Sequence, residues 1–188
     1  PWLLLLAGIV GIAASLILSI ENIDQLKNPG QAAACDLSPI LSCSSVTKSS
    51  QAEVLSFPNP YIGLAGYAII ATIGATLLAG ARFKRWFWLA TEAGLLLALI
   101  FIHYLAFQSL YRIGALCIFC MMVWAVTIPV FWYTTLYNIR AGHIKPPPNL
   151  KNAADFAGRH HGDILVIWFG ILILLIGKRF WYYWSGLI

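Results

Sequence analysis

Five stretches of about twenty largely apolar residues run through this chain, at positions 2–20, 60–80, 87–107, 115–137 and 163–184. A helix rises about 1.5 Å per residue, so some twenty residues cross a hydrocarbon core of roughly 30 Å, and every backbone polar group on the way must be satisfied within the helix. The pattern predicts an all-α integral membrane protein. Composition agrees, because 60% of the 188 residues are hydrophobic and only 10% are charged, against about a quarter charged in a soluble domain. Residues 2–20 are too long for a signal peptide and have neither a basic leader nor a small-x-small cleavage site, so they read as a helix that stays. Since the chain opens on Pro1, an upstream segment is expected.

The connections divide the chain. A long polar loop, residues 21–59, carries "ENIDQLKNPGQAAACDLSPILSCSSVTKSSQAEVLSFPN". "GARFKRW" and the short "QSLYRIG" follow, and a linker at 141–162, interrupted by Pro146, Pro147 and Pro148, leads to a fifth helical segment at 163–188. Proline cannot continue a hydrogen-bonded helix, so Pro58, Pro60 and the triple proline mark helix ends.

The formal net charge of +5 is small, and the basic residues sit mostly in the connections; they report topology and carry no nucleic-acid footprint. With "ARFKRW" and the 138–162 connection on the cytoplasmic side, Arg82, Lys84, Arg85, Arg140, Lys145, Lys151 and Arg159 lie inside. Lys27, Lys48, Arg112, Lys178 and Arg179 lie opposite. This orientation places the 21–59 loop, the "QSLYRIG" turn and all four cysteines on the exoplasmic side, where disulfides persist.

The cysteines form two close pairs, Cys35 with Cys43 and Cys117 with Cys120. By spacing alone they fit a disulfide relay, a metal site or a pair of structural staples. The C-x-x-C pair in "CIFC" opens the fourth segment, where helix N-terminal N–H groups stabilise a thiolate, the species that attacks disulfides. Arg112 upstream is expected to add to that effect. Cys120 lies about 4.5 Å deeper along the helix than Cys117. The outer sulfur therefore suits a water-soluble partner or the loop, and the inner one suits a lipid-soluble molecule, with Trp124 four residues further on the same stripe. A flexible loop bearing "CDLSPILSC" can shuttle, provided that one loop cysteine reaches Cys117 while the other stays accessible.

"CDLSPILSCSSV" in the loop, "PNPYIG" at the next segment and "CIFC" at the fourth together resemble the vitamin K epoxide reductase family, in particular its bacterial members, over about residues 2–140. The resemblance implies a four-helix transmembrane bundle at 1–140 around a quinone near the exoplasmic end, with the fifth helix added to it. It implies a thiol oxidoreductase of the bacterial inner membrane, active on the periplasmic side, that reoxidises an exported thioredoxin-like, DsbA-type protein and passes the electrons to membrane quinone. Ubiquinone, menaquinone and related naphthoquinones all fit as acceptor, and no metal is implied. The thiol partner is expected as a separate protein or as a domain beyond the sequence given. Carried over by position, Cys35 exchanges with the partner, Cys43 passes electrons to Cys117, and Cys120 faces the quinone ring. Asn59 corresponds to an asparagine that hydrogen-bonds a quinone carbonyl. Trp124 stands where the animal enzymes have a tyrosine, and an indole N–H donates without relaying a proton as a phenol does. Reduction of vitamin K or its epoxide is the alternative activity; a non-enzymatic membrane subunit stapled by two disulfides is the second alternative.

His103, about one turn from the exoplasmic end of the third segment, is a further candidate for quinone contact, since ionisable groups within spans tend to be functional. Glu92, near the opposite end of that segment, reads as a packing or interface residue. His143, His160 and His161 read as solvated surface.

Overall fold

The computed structural model describes residues 1–28, 33, 35–53 and 56–184; the remainder of the predicted 21–59 loop and the last four residues of the 163–188 segment lie outside the described residues. The elements in order are α1 (Trp2–Lys27), α2 (Cys43–Thr47), a 3-10 turn (Ser50–Glu53), α3 (Asn59–Leu78), α4 (Arg85–Gln108) running into a π turn (Ser109–Ile113), α5 (Ile118–Arg140), α6 (Pro148–Arg159), α7 (His161–Arg179) and α8 (Trp181–Trp184). Helices α1, α3, α4 with its π turn, α5 and α7 are each long and apolar enough to cross a membrane. The chain is an all-α integral membrane protein, and the only pairing of extended backbone among the described residues is an isolated bridge between Leu41 and Leu116.

Several boundaries differ from the sequence reading for identifiable reasons. Helix α1 continues seven residues past position 20, because "ENIDQLK" contains no Gly or Pro and its Asn22 and Gln25 are buried. The fourth span begins at Ile118, since Leu116 is held in the bridge. The loop and the linker, expected to be irregular, contain α2 and α6. Gly114, in the left-handed region at φ +73°, ends the π turn, and its N–H reaches the Ser109 carbonyl at 2.9 Å. Such a conformation favours glycine.

The chain forms two compact units. In the first, residues 1–82 and 100–127, α1 and α3 touch backbone to backbone. A Cβ added at Gly74 would lie 2.4 Å from the Leu5 nitrogen, and one at Gly8 2.6 Å from the Ala71 nitrogen. Lipid supplies no hydrophobic force to drive helices together, so close packing at small residues carries the association. Gly63 also packs, against Ser15, whereas Gly66 and Gly80 have open space around them.

In the second unit, residues 83–99 and 128–188, polar side chains make the links. Glu92 accepts from Asn138 Nδ2 at 3.0 Å and is hydrogen-bonded to the Thr135 hydroxyl. Glu92 is thus an interhelical residue, as its position suggested. His143 Nδ1 meets Asn138 Oδ1 at 3.0 Å, His161 Nδ1 meets the Tyr133 hydroxyl at 3.0 Å, and His160 Nδ1 lies 2.9 Å from Asp163. The three histidines therefore have separate protein partners. None of α7 is buried, and its first residue is fixed to α5 through His161, whose carbonyl also accepts from Trp132 Nε1 at 3.1 Å.

Candidate active site

The cysteine loop is fixed from two sides within the first unit. On one side, "SPILSC" pairs with the stretch before Cys117: the Leu116 N–H donates to the Ile40 carbonyl at 2.7 Å, and the Ser42 N–H to the Leu116 carbonyl at 3.0 Å. On the other, Gln25 Nε2 in the last turn of α1 donates to the Ser44 hydroxyl at 3.0 Å, and Thr47 Oγ1 donates to Gln25 Oε1 at 3.1 Å. The Ala33 N–H reaches the same Ser44 hydroxyl at 2.9 Å.

Asp36, directly after Cys35, ties the ends of the loop together. Its carboxylate accepts the Ser44 N–H at 3.0 Å and the Ala33 N–H at 3.2 Å. Burial alone would raise its pKa, but hydrogen bonds from the Ser44 side chain and N–H, the Ser42 side chain and the Ala33 N–H outweigh it and hold the carboxyl below the usual aspartate value.

These constraints bring three sulfurs together. Cys35 and Cys43 form a disulfide with a Cα–Cα distance of 5.7 Å, and Cys43 Sγ lies 3.1 Å from Cys117 Sγ. The sulfurs of Cys35, Cys43 and Cys117 all fall within 4.8 Å of one another. Leu18 and Ala33 complete the buried cluster, against which Val46, Phe119 and Cys120 pack. Cys117 and Cys120 are free thiols.

Cys117 was expected in the first turn of the fourth helix; it immediately precedes Ile118, and its carbonyl accepts the Met121 N–H at 3.0 Å. In that capping position its sulfur faces the unpaired N–H groups of the first turn. Its thiol is shifted below the ordinary cysteine value, first by the Cys120 thiol and then by the Cys120 and Phe119 N–H groups, against opposition from burial and from the Asp36 charge. Arg112, the cation expected to help, is exposed on the π turn.

One expectation is corrected. Cys35, which should stay accessible to a partner, is 5% exposed, and Cys43 and Cys117 are sealed as well. The loop folds over its own disulfide because docking against both α1 and Leu116 satisfies its polar groups. Of the four cysteines, Cys120 alone is not buried.

The other candidates fall within the same unit. Asn59 opens α3, with Pro60 in the first turn; His103 is half-buried on α4; and Trp124 is buried on α5, one turn beyond Cys120. Sequence reasoning missed Gln25 and Ser44. A polar run continuing a span, followed by a serine directly after the second loop cysteine, is the signal that could have found them.

A membrane-embedded helical protein that holds a disulfide against a helix-capping thiol has the parts of a thiol–disulfide oxidoreductase. The vitamin K epoxide reductase family model matches residues 2–135. The chain belongs to that family, so it is an oxidoreductase of a family whose redox chemistry is quinone-linked and generally works with a thioredoxin-like partner. Among curated proteins no match was found.

Proposed function

We propose that the protein reoxidises an exported thioredoxin-like, DsbA-type protein and passes the electrons to membrane quinone, from the inner membrane of a bacterium with the cysteine site facing the periplasm. The 3.1 Å approach of Cys43 to Cys117 carries this reading. It is a distance from which thiol–disulfide exchange proceeds with little further movement.

In the proposed cycle a partner thiolate attacks Cys35, forming a mixed disulfide and releasing Cys43 as a thiolate. The partner's second thiol resolves that bond, so the partner leaves oxidised and both loop cysteines are reduced. Cys43 then attacks Cys117 of a Cys117–Cys120 disulfide, and Cys120 departs with the electron pair. Cys35 attacks Cys43, which re-forms the loop disulfide and leaves Cys117 and Cys120 reduced. The pattern of one loop disulfide and two helix thiols fits this last stage. The burial of Cys35 means that the partner must displace the loop from one of its two attachments before the first step.

The residues present suit a quinone. Cys120 is the least buried of the four cysteine residues, with Trp124 buried one turn further along α5, and Asn59 and His103 can donate hydrogen bonds to carbonyl oxygens. A bound quinone supplies a two-electron acceptor; the cysteines, for their part, hold the electron pair at Cys120. The low thiol pKa of Cys117 keeps it a good leaving group when Cys35 regenerates the loop disulfide.

The test is quinone reduction by the purified protein, started with a reduced DsbA-like protein. Turnover should be lost in both Cys35→Ser and Cys120→Ser, while Cys35 of the Cys43→Ser variant should attack a DsbA-like protein whose single active-site cysteine carries a thionitrobenzoate mixed disulfide, expelling the thionitrobenzoate thiolate and trapping the partner on Cys35. Turnover surviving in Cys35→Ser, or no trapped partner in Cys43→Ser, sinks the relay.

A further inference from the structure

Helix α6 carries its apolar residues Leu150, Ala153, Ala154 and Ala157 at i, i+3, i+4 and i+7, which is one face of a helix, while Lys151, Asn152, Asp155 and Arg159 lie elsewhere on its circumference. No residue of α6 is buried, and the side chains of Leu150 and Phe156 are more than half exposed. An isolated twelve-residue helix with such a face is marginal in water. Something must cover it.

The connectivity says what is at hand. Helix α6 is separated from α7, a membrane span, by His160 alone, and seven residues join it to the end of α5, another span. Its C-terminal end is tied at both sides: Arg140 Nη2 in the last turn of α5 donates to the Gly158 carbonyl at 3.0 Å, and the Phe156 ring lies tilted against His160 with centroids 4.5 Å apart. The helix is therefore confined to the level where α5 ends and α7 begins. Charge narrows the choice further, since Arg140, Lys145, Lys151 and Arg159 face a single acid, Asp155, between residues 140 and 160.

We propose that α6 lies in the plane of the membrane surface and binds anionic phospholipid. Its Leu150–Ala157 face enters the boundary between headgroups and acyl chains, and the basic side chains hold phosphate-bearing headgroups around it. The site is independent of the cysteines, and its test does not depend on enzyme activity.

The experiment places the photoreactive residue p-benzoylphenylalanine at position 150 of the full chain, in nanodiscs containing equal phosphatidylglycerol and phosphatidylcholine, and identifies adducts by mass. Lipid adducts are expected, with phosphatidylglycerol enriched about fivefold, the factor that one basic side chain near an anionic surface supplies. In the Lys151→Glu/Arg159→Glu variant the lipid adducts should persist while the enrichment disappears. Adducts to protein alone, including a partner recruited from added lysate, overturn the membrane placement. Equal labelling of the two lipids by the native chain overturns the anionic headgroup site.

Discussion

The two units of this protein are held together by different means. In the first, α1 buries ten residues and meets α3 through glycine backbones, and the cysteine loop is locked by hydrogen bonds to buried side chains. In the second, α7 buries none and is fixed at its first residue by Trp132 and Tyr133. The difference follows the chemistry. Exchange between sulfurs needs a geometry held to a fraction of an ångström, and only close packing supplies it.

Bulk added at a glycine of each unit should separate the two most strongly. Gly74→Leu pushes a branched side chain into the α1 backbone and should leave little folded protein. Even Gly74→Ala should cost about 1–3 kcal/mol, the usual range for overpacking. Gly170→Leu on α7, where nothing lies within 4 Å, should be tolerated. Thermal melts in detergent decide; equal losses in both positions would mean that the units are packed alike.

A smaller effect separates stability from chemistry. Ser44→Ala leaves the buried Gln25 amide short of an acceptor, while the Ala33 N–H keeps Asp36, and Asn138→Leu takes a donor from Glu92; each should cost about 1–3 kcal/mol. The Ser44 variant should also make the Cys35–Cys43 disulfide easier to reduce with an external thiol, whereas the Asn138 variant should not. If both variants alter the reduction rate equally, loop docking is not what controls access.

The fold was legible where a single physical requirement dominates. Five apolar stretches longer than a bilayer core admit little but helices, and the order of the cysteines with Asp36 marked the family. Less legible were structures that depend on contacts far apart in sequence. In "SCSSVT" the local helix signal is Ser42 capping the Ser45 N–H, too little for a five-residue helix until Gln25, 19 residues earlier, supplies a partner for Ser44. The shift of the fourth helix from position 115 to Ile118 likewise follows from pairing with Leu41, 75 residues away. Exposure of Cys35 was misjudged because a polar loop in isolation looks mobile, and its polarity is consumed by docking.

Within the well-packed unit, the thiol of Cys117 offers a finer probe. The Cys120 thiol is the foremost cause of its lowered pKa, so Cys120→Ala should raise the pH at which the Cys117 thiolate appears, followed by ultraviolet absorbance. Asp36→Asn removes a charge that opposes ionisation and should lower that pH. Shifts in the same direction for both variants would contradict the assigned causes.

The mildest perturbation is acid. Because Asp36 has a lower pKa in the folded loop than in an unfolded chain, unfolding takes up a proton in the interval between the two values, and the stability it contributes is complete above the unfolded value of about 3.9 and is lost as pH falls through the folded one. Pepsin, an acid protease, can read this directly on the loop. Cleavage near Leu41 should be slow just above that interval and accelerate within it, while in Asp36→Asn it should be faster at the upper end and lack the Asp36-linked rise. An unchanged pH profile in the variant would show that the N–H groups of Ala33 and Ser44 find adequate acceptors without the carboxylate, and that the loop is held by Gln25 and Leu116 alone.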